Sequence, residues 1–252
     1  MSHPPPPPPS SPGDALKPCA VITGAARGIG RAIAVKLLEE GYRVVLSDVA
    51  EIPLHETTAA LHTKEAIAFR ADVTSAADCA RLAAFATTLG GIALWINNAG
   101  LARHKAVMDY TEEEIDLMLS VNLKGTILGS QAALRSMAPA KAGHIINIIS
   151  TAALRGIPME TVYCAAKWGV RGFTQGLREE AAAIGVRVTA LLPGGVDTSF
   201  WKEAVRRNMP TEDFLTAAQV ADAVSALVRM DPSVVPQELV LRALRDRDFA
   251  HA

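Results

Sequence analysis

The chain has 252 residues, half hydrophobic and a fifth charged, an ordinary globular balance with enough length to bury a substantial core. Its 25 basic and 26 acidic residues are spread along the chain and leave a formal net charge of −1, which argues against nucleic acid or an anionic membrane as partner. No apolar run reaches the ~18 residues of a membrane span, and neither the three cysteines nor the six histidines have metal-ligand spacing, so a cytoplasmic protein with reduced thiols and no metal is expected.

In chain order, the first segment is "MSHPPPPPPSSPGDALKP", which has neither the basic nor the apolar region of a signal peptide. Its prolines favour extended or disordered chain, so residues 1–17 are expected to lie outside the fold, as a solvated leader or a ligand for an aromatic groove. From residue 18 short apolar runs alternate with segments of helical period. Strands are expected at 19–23, 42–48, 66–71, 92–96, 144–149, 186–192 and 238–243. Helical patterns fill the gaps, notably 75–88, 111–137, 161–183 and 217–229; Ile29, Ile33, Leu37 and Leu38 mark another, closed by Gly41. This alternation predicts an α/β fold: one domain over 18–245 with a doubly wound parallel sheet of about seven strands, followed by a tail at 246–252. Ligands of such sheets sit beyond the carboxyl ends of the strands, where candidate site residues are therefore sought.

The first strand runs into "TGAARGIG", with Gly24, Gly28 and Gly30 across a strand-to-helix turn. Glycines let backbone approach a pyrophosphate, which the free N–H groups of the helix start favour; a tight turn without ligand is the plainer alternative. Asp48, ending the second strand, is placed to accept hydrogen bonds from ribose hydroxyls and to repel a 2′-phosphate, favouring NAD over NADP. Arg27 argues the other way and keeps NADP open. Asp72 and Val73, after the third strand, can flank the adenine, and Asn97, Asn98, Ala99 and Gly100, after the fourth, are expected against the cofactor crevice.

At the reacting end, Tyr163 and Lys167 lie four apart on a predicted helix and share a face. A nearby ammonium stabilises a phenolate, which would lower the phenol's pKa from its usual ~10 and make it an acid-base group; a shift of about three units also needs the cofactor's positive nicotinamide. Ser150, thirteen residues earlier at a strand end, can meet the same carbonyl oxygen. Asn122 interrupts an apolar helix face, with a bend around a water as its expected use. Cys164 is expected to point away from the Tyr163 face and serve packing.

With these residues in order, the sequence over about 18–245 resembles the short-chain dehydrogenase/reductase family: TGxxxGxG at Thr23 to Gly30, NNAG at Asn97 to Gly100, Asn122, Ser150, Tyr163, Lys167, and "PGGVDT" at Pro193 to Thr198. The resemblance implies a single-domain Rossmann fold, a nicotinamide cofactor, and hydride transfer to or from an alcohol or carbonyl substrate. It implies catalytic roles for Asn122, Ser150, Tyr163 and Lys167, with protons relayed from Tyr163 through the cofactor ribose and Lys167 to water held by Asn122. It also implies cofactor contacts from Gly24, Arg27, Gly28, Ile29, Gly30, Asp48, Asp72, Val73, Asn98, Ala99, Gly100, Tyr163, Lys167, Pro193, Gly194, Val196 and Thr198. A homodimer or homotetramer is expected, with helices 111–137 and 161–183 as interface elements. In place of the glycine-rich ending common in the family, the chain continues "LRALRDRDFAHA".

Substrate choice falls to the loop 199–214 and to residues near Leu101, Leu154 and Met159, with Phe200 and Trp201 as an apolar lid or a plain anchor. Arg103 and Arg155 are either anion-binding or solvated. The rival to an enzyme is a non-catalytic dinucleotide sensor on the same fold; the joint presence of Asn122, Ser150, Tyr163 and Lys167 argues against it. Epimerisation or dehydration of nucleotide sugars would ask for a larger C-terminal substrate domain.

Overall fold

The computed structural model describes residues 17–200 and 211–245; Trp201, most of the leader and the 246–252 tail lie outside the described residues. The chain runs β1 (Cys19–Thr23), α1 (Gly28–Glu39), β2 (Arg43–Asp48), α2 (Glu51–Ala60), β3 (Ala66–Arg70), α3 (Ala76–Thr88), β4 (Ile92–Asn97), α4 (Glu112–Leu119), a π-helical turn (Ser120–Lys124) and α5 (Gly125–Met137). There follow β5 (His144–Ile148), α6 (Thr161–Ala182), β6 (Arg187–Pro193), β7 (Val196–Asp197), β8 (Leu215–Thr216), α7 (Ala217–Arg229) and β9 (Glu238–Leu241).

The seven expected strands all form, and they pair in one parallel sheet ordered β3-β2-β1-β4-β5-β6-β9. Alternation along each strand serves both faces. In β1, Ala20 and Ile22 join a core with Ile33 and Leu37 of α1, Leu54 of α2 and Val220 and Val224 of α7, while Cys19 and Val21 face Leu82 of α3, Ala133 of α5 and Leu177 of α6. Strands β2 and β3 are added on one side of β1 and β4 to β6 on the other, so the strand order reverses between β1 and β4 and a crevice opens there at the strands' carboxyl ends.

Two elements differ from expectation. The helix expected over 111–137 is interrupted by a π-helical turn at Ser120–Lys124, where Asn122 divides its amide between the Met118 carbonyl of α4 and the Leu101 carbonyl of the loop after β4. Helix α2 was not marked by any apolar stripe, because it buries only Leu54 and Thr57; Pro53 is tolerated since it sits in the first turn.

Candidate active site

The cofactor end is built by cross-linking two loops. Gly24 has φ +63°, and a Cβ there would come within 2.7 Å of the Ala99 Cα. Asn98 donates from its amide to the carbonyls of Thr23 (3.0 Å) and Gly24 (2.9 Å), and the Thr23 hydroxyl accepts from the backbone N–H groups of Asn98 and Ala99 (both 3.1 Å). These bonds fix the turn after β1 against the end of β4. Gly28, at φ +56°, looks across the crevice at Thr198, 3.5 Å from where a Cβ would stand, so a side chain would narrow the space a pyrophosphate needs. Gly30 does not line the crevice; a Cβ on it would press on Asn98 Nδ2 (2.7 Å) and Ala25 Cα (2.9 Å), which makes it the position where α1 packs on the turn after β1 and the loop after β4.

Arg27, Ile29, Asp48, Asp72, Val73, Asn98, Ala99 and Gly100 all line the crevice, together with Gly24 and Gly28. The Asp48 carboxylate accepts from the N–H groups of Ala26 (3.1 Å) and Ala50 (3.0 Å), which fixes its place beside the glycine turn. Asp72 caps its own loop, accepting from the N–H (2.8 Å) and hydroxyl (2.7 Å) of Thr74. Asn97 departs from expectation: it is buried within the sheet and does not face the crevice.

At the other end, Ser150, Tyr163, Lys167, Pro193, Gly194, Val196 and Thr198 line the same cleft, whose volume is about 750 Å³. Ser150 follows β5, accepts from the Ala152 N–H (3.1 Å) and is hydrogen-bonded to the Tyr163 hydroxyl. The Lys167 ammonium lies 5.5 Å from the centre of the Tyr163 ring and donates to the Ile148 carbonyl at 3.3 Å. Tyr163 and Lys167 are both buried, at 9% and 4% exposure respectively. Burial disfavours the charged form of each, so the Lys167 pKa is lowered to about 8. The Tyr163 pKa is raised above the usual phenol value, the Ser150 hydrogen bond opposing only part of that effect. In the chain alone desolvation thus sets the direction of both shifts.

Asn122 is fully buried behind the cleft. Its amide donates to the carbonyls of Leu101 (2.7 Å) and Met118 (2.9 Å) and its oxygen accepts from the Leu101 N–H (3.2 Å).

The β7–β8 pair closes the base of the substrate-side loop. Phe200 places its ring 6.1 Å from that of Tyr163, within a small apolar cluster of Ala102, Ala152, Ile157 and Cys164. Cys164 is therefore packing, as expected, and it does not line the cleft that Tyr163 and Lys167 face. Leu101 and Arg103 line the cleft, whereas Leu154, Arg155 and Met159 do not. Ile157 and Glu160 line the cleft without any signal in the sequence, Phe214 lines it from the end of the 199–214 loop, and Thr23, which opens the glycine motif, holds the Ala99 N–H from behind.

A two-faced parallel sheet with a glycine turn at its switch point and a buried phenol–ammonium pair in the same cleft defines the class of Rossmann-fold proteins. Residues 18–209 match the model of the short chain dehydrogenase family. A diacetyl reductase [(S)-acetoin forming] of Staphylococcus epidermidis is 32% identical over 238 residues, 91% of this chain and 93% of that protein. An uncharacterized oxidoreductase of Staphylococcus aureus is 36% identical over 227 residues, 88% and 96% of the two chains. Among solved structures, an alcohol dehydrogenase from the archaeon Thermococcus sibiricus, complexed with 5-hydroxy-NADP, superposes with a TM-score of 0.83 at 30% identity, covering 92% of this chain and 98% of that one. A 3-ketoacyl-(acyl-carrier-protein) reductase from Brucella melitensis, complexed with NADH, gives 0.83 at 26% identity, covering 92% and 99%. The chain belongs to the short-chain dehydrogenase/reductase family of NAD(P)-dependent oxidoreductases. No described helix is long and apolar enough to cross a membrane, and the described residues hold no cluster of His, Cys, Asp or Glu fit for a metal.

Proposed function

We propose that the protein interconverts a secondary alcohol and a ketone with a nicotinamide cofactor, NAD in preference to NADP. The observation that carries this reading is the meeting of Ser150, Tyr163 and Lys167 in one cleft with the glycine turn at its far end. The residues fit a dinucleotide: side chains are absent at Gly24 and Gly28, where backbone must come close, and Asp48 stands beside the turn. Gly24, Gly28, Ile29 and the first turn of α1 would hold the pyrophosphate, Asp48 the adenosine ribose, Asp72 and Val73 the adenine, and Pro193, Gly194, Val196 and Thr198 the nicotinamide side. When bound, the nicotinamide supplies the hydride donor or acceptor.

The chain's own residues supply the rest. Ser150 holds the substrate oxygen by its hydroxyl, and Tyr163 passes the proton to or from that oxygen. Lys167 places positive charge beside the phenol and so favours its ionised form when it acts as a base. Asn122 fixes the Leu101 backbone at the cleft wall. Because burial holds the Tyr163 proton, carbonyl reduction is favoured near neutrality and alcohol oxidation gains as pH rises. The diacetyl reductase and alcohol dehydrogenase relatives support this substrate class. The reading extends to a homodimer or homotetramer, tested by light scattering, and to a cytoplasmic location, supported by three free buried thiols.

The deciding experiment is a panel of ketones and secondary alcohols with both cofactors, followed by nicotinamide absorbance, on wild type and Tyr163→Phe. Loss of the phenol hydroxyl is expected to lower kcat by about 10²–10⁴-fold. Cofactor affinity should stay within a few fold; unchanged turnover would refute the assignment.

A further inference from the structure

Behind the cleft, five buried polar side chains form one chain of hydrogen bonds. Trp95 Nε1 donates to Asn97 Oδ1 (2.8 Å), Asn97 Nδ2 to Asn147 Oδ1 (2.8 Å) and to Ser130 Oγ (2.9 Å), Asn147 Nδ2 to Thr174 Oγ1 (2.9 Å), and the Thr174 hydroxyl to the Val170 carbonyl (2.6 Å). None of the five is more than 4% exposed. An indole can only donate, so Trp95 fixes the orientation of Asn97, which fixes that of Asn147, and the sense propagates to α6. Bonds aligned this way in a low-dielectric interior reinforce one another. Room is kept for them: a Cβ on Gly129 would collide with Asn97 Oδ1 and lie 3.2 Å from Trp95 Nε1.

A buried polar chain is a poor way to fill a core for stability alone, because losing any one partner strands the others. Its endpoints suggest another use. Asn97 and Asn147 face each other in register on β4 and β5, one residue before Asn98 and three before Ser150. Thr174 sits two turns after Lys167 on α6, and Ser130 eight residues after Asn122 on α5. The Lys167–Ile148 hydrogen bond crosses the same β5–α6 seam.

We propose that the Trp95–Asn97–Asn147–Thr174 chain, with its Ser130 branch, is a positioning device that fixes α5 and α6 against β4 and β5 and so sets the reach of Ser150 to Tyr163 and Lys167. The inference rests on the roles given to those three residues above. Thr174→Val keeps the shape and removes the hydroxyl, while Thr174→Ser restores it. Thr174→Val is expected to lower kcat about tenfold or more, since small misplacements of reacting groups are costly. It should also displace the pH profile of kcat, leave cofactor affinity within about twofold, and be rescued by Thr174→Ser, because only the geometry of the reacting groups has changed. A Thr174→Val enzyme with wild-type kcat and pH profile and only a lower melting temperature would overturn the proposal. If wild type turns over no alcohol or ketone, the functional reading fails, and crystal structures then decide the network: loss of the Ser150–Tyr163 and Lys167–Ile148 contacts in Thr174→Val supports it, and their retention overturns it. Should Thr174→Val not fold, Ser130→Ala, which spares the Asn97–Asn147 bond, replaces it with the same outcomes.

Discussion

Replacing Lys167 by methionine should make the protein more stable while abolishing turnover, and the gain should depend on pH. The ammonium is buried and donates to the Ile148 carbonyl, and its pKa falls from 10.5 to about 8. A cation whose folded pKa is depressed destabilises the fold fully below the folded pKa, and the penalty fades as pH rises from 8 to 10.5. At about 1.36 kcal/mol per pH unit, that gap is worth about 3 kcal/mol at pH 7 and about 1 kcal/mol at pH 9.5. Lys167→Met removes the penalty but strands the Ile148 carbonyl and loses the contact over the Tyr163 ring, which together cost about 1–3 kcal/mol at any pH. The absolute gain is thus small, but its pH dependence is free of those constant terms. Urea denaturation followed by tryptophan fluorescence should show the advantage of the variant shrinking by about 2 kcal/mol between pH 7 and 9.5. A difference between the two proteins that stays flat across this range would refute the buried-cation argument, and with it the view that this cleft carries its lysine at the expense of stability.

Two further predictions concern other charges. His144 is buried at the start of β5, bonded through Nε2 to the Thr189 hydroxyl with no partner at Nδ1 among the described residues, and burial lowers its pKa to about 3. The unfolded chain takes up its proton near 6.5 and the folded chain only near 3, so stability falls through that window as pH drops; wild type should lose about 2 kcal/mol more than His144→Gln between pH 7 and 5, and parallel acid titrations would refute this. Asp48→Ala removes the acceptor proposed for the ribose and frees the Ala26 N–H, so the KM for NAD should rise about 10–100-fold and discrimination against NADP relax; a wild type that already prefers NADP would show that Arg27 outweighs Asp48.

Which features were legible in the sequence follows from how local their causes are. The strands and most helices announce themselves through periodicity, because each buries its own face, and the glycine turn does so because backbone at φ +63° and +56° needs glycine. The direction of the Tyr163 shift was not legible, since it depends on desolvation by Phe200, Ala102 and Ala152, far apart in the chain. Nor was the π turn at Ser120–Lys124, where the periodic pattern of 111–137 continues unbroken. Its cause is tertiary: Asn122 satisfies both the N–H and the carbonyl of Leu101, a residue on the loop after β4 that has no strand partner there. If so, Asn122→Leu should strand two backbone groups at about 1–3 kcal/mol each, lowering the melting temperature by roughly 5–10 °C. The Leu101 amide should then exchange faster with solvent, while Asn122→Asp, which keeps an acceptor for that N–H, should retain more of its protection. Unchanged Leu101 exchange in Asn122→Leu would show that the turn is held by α4 and α5 themselves, and that the asparagine occupies it without shaping it.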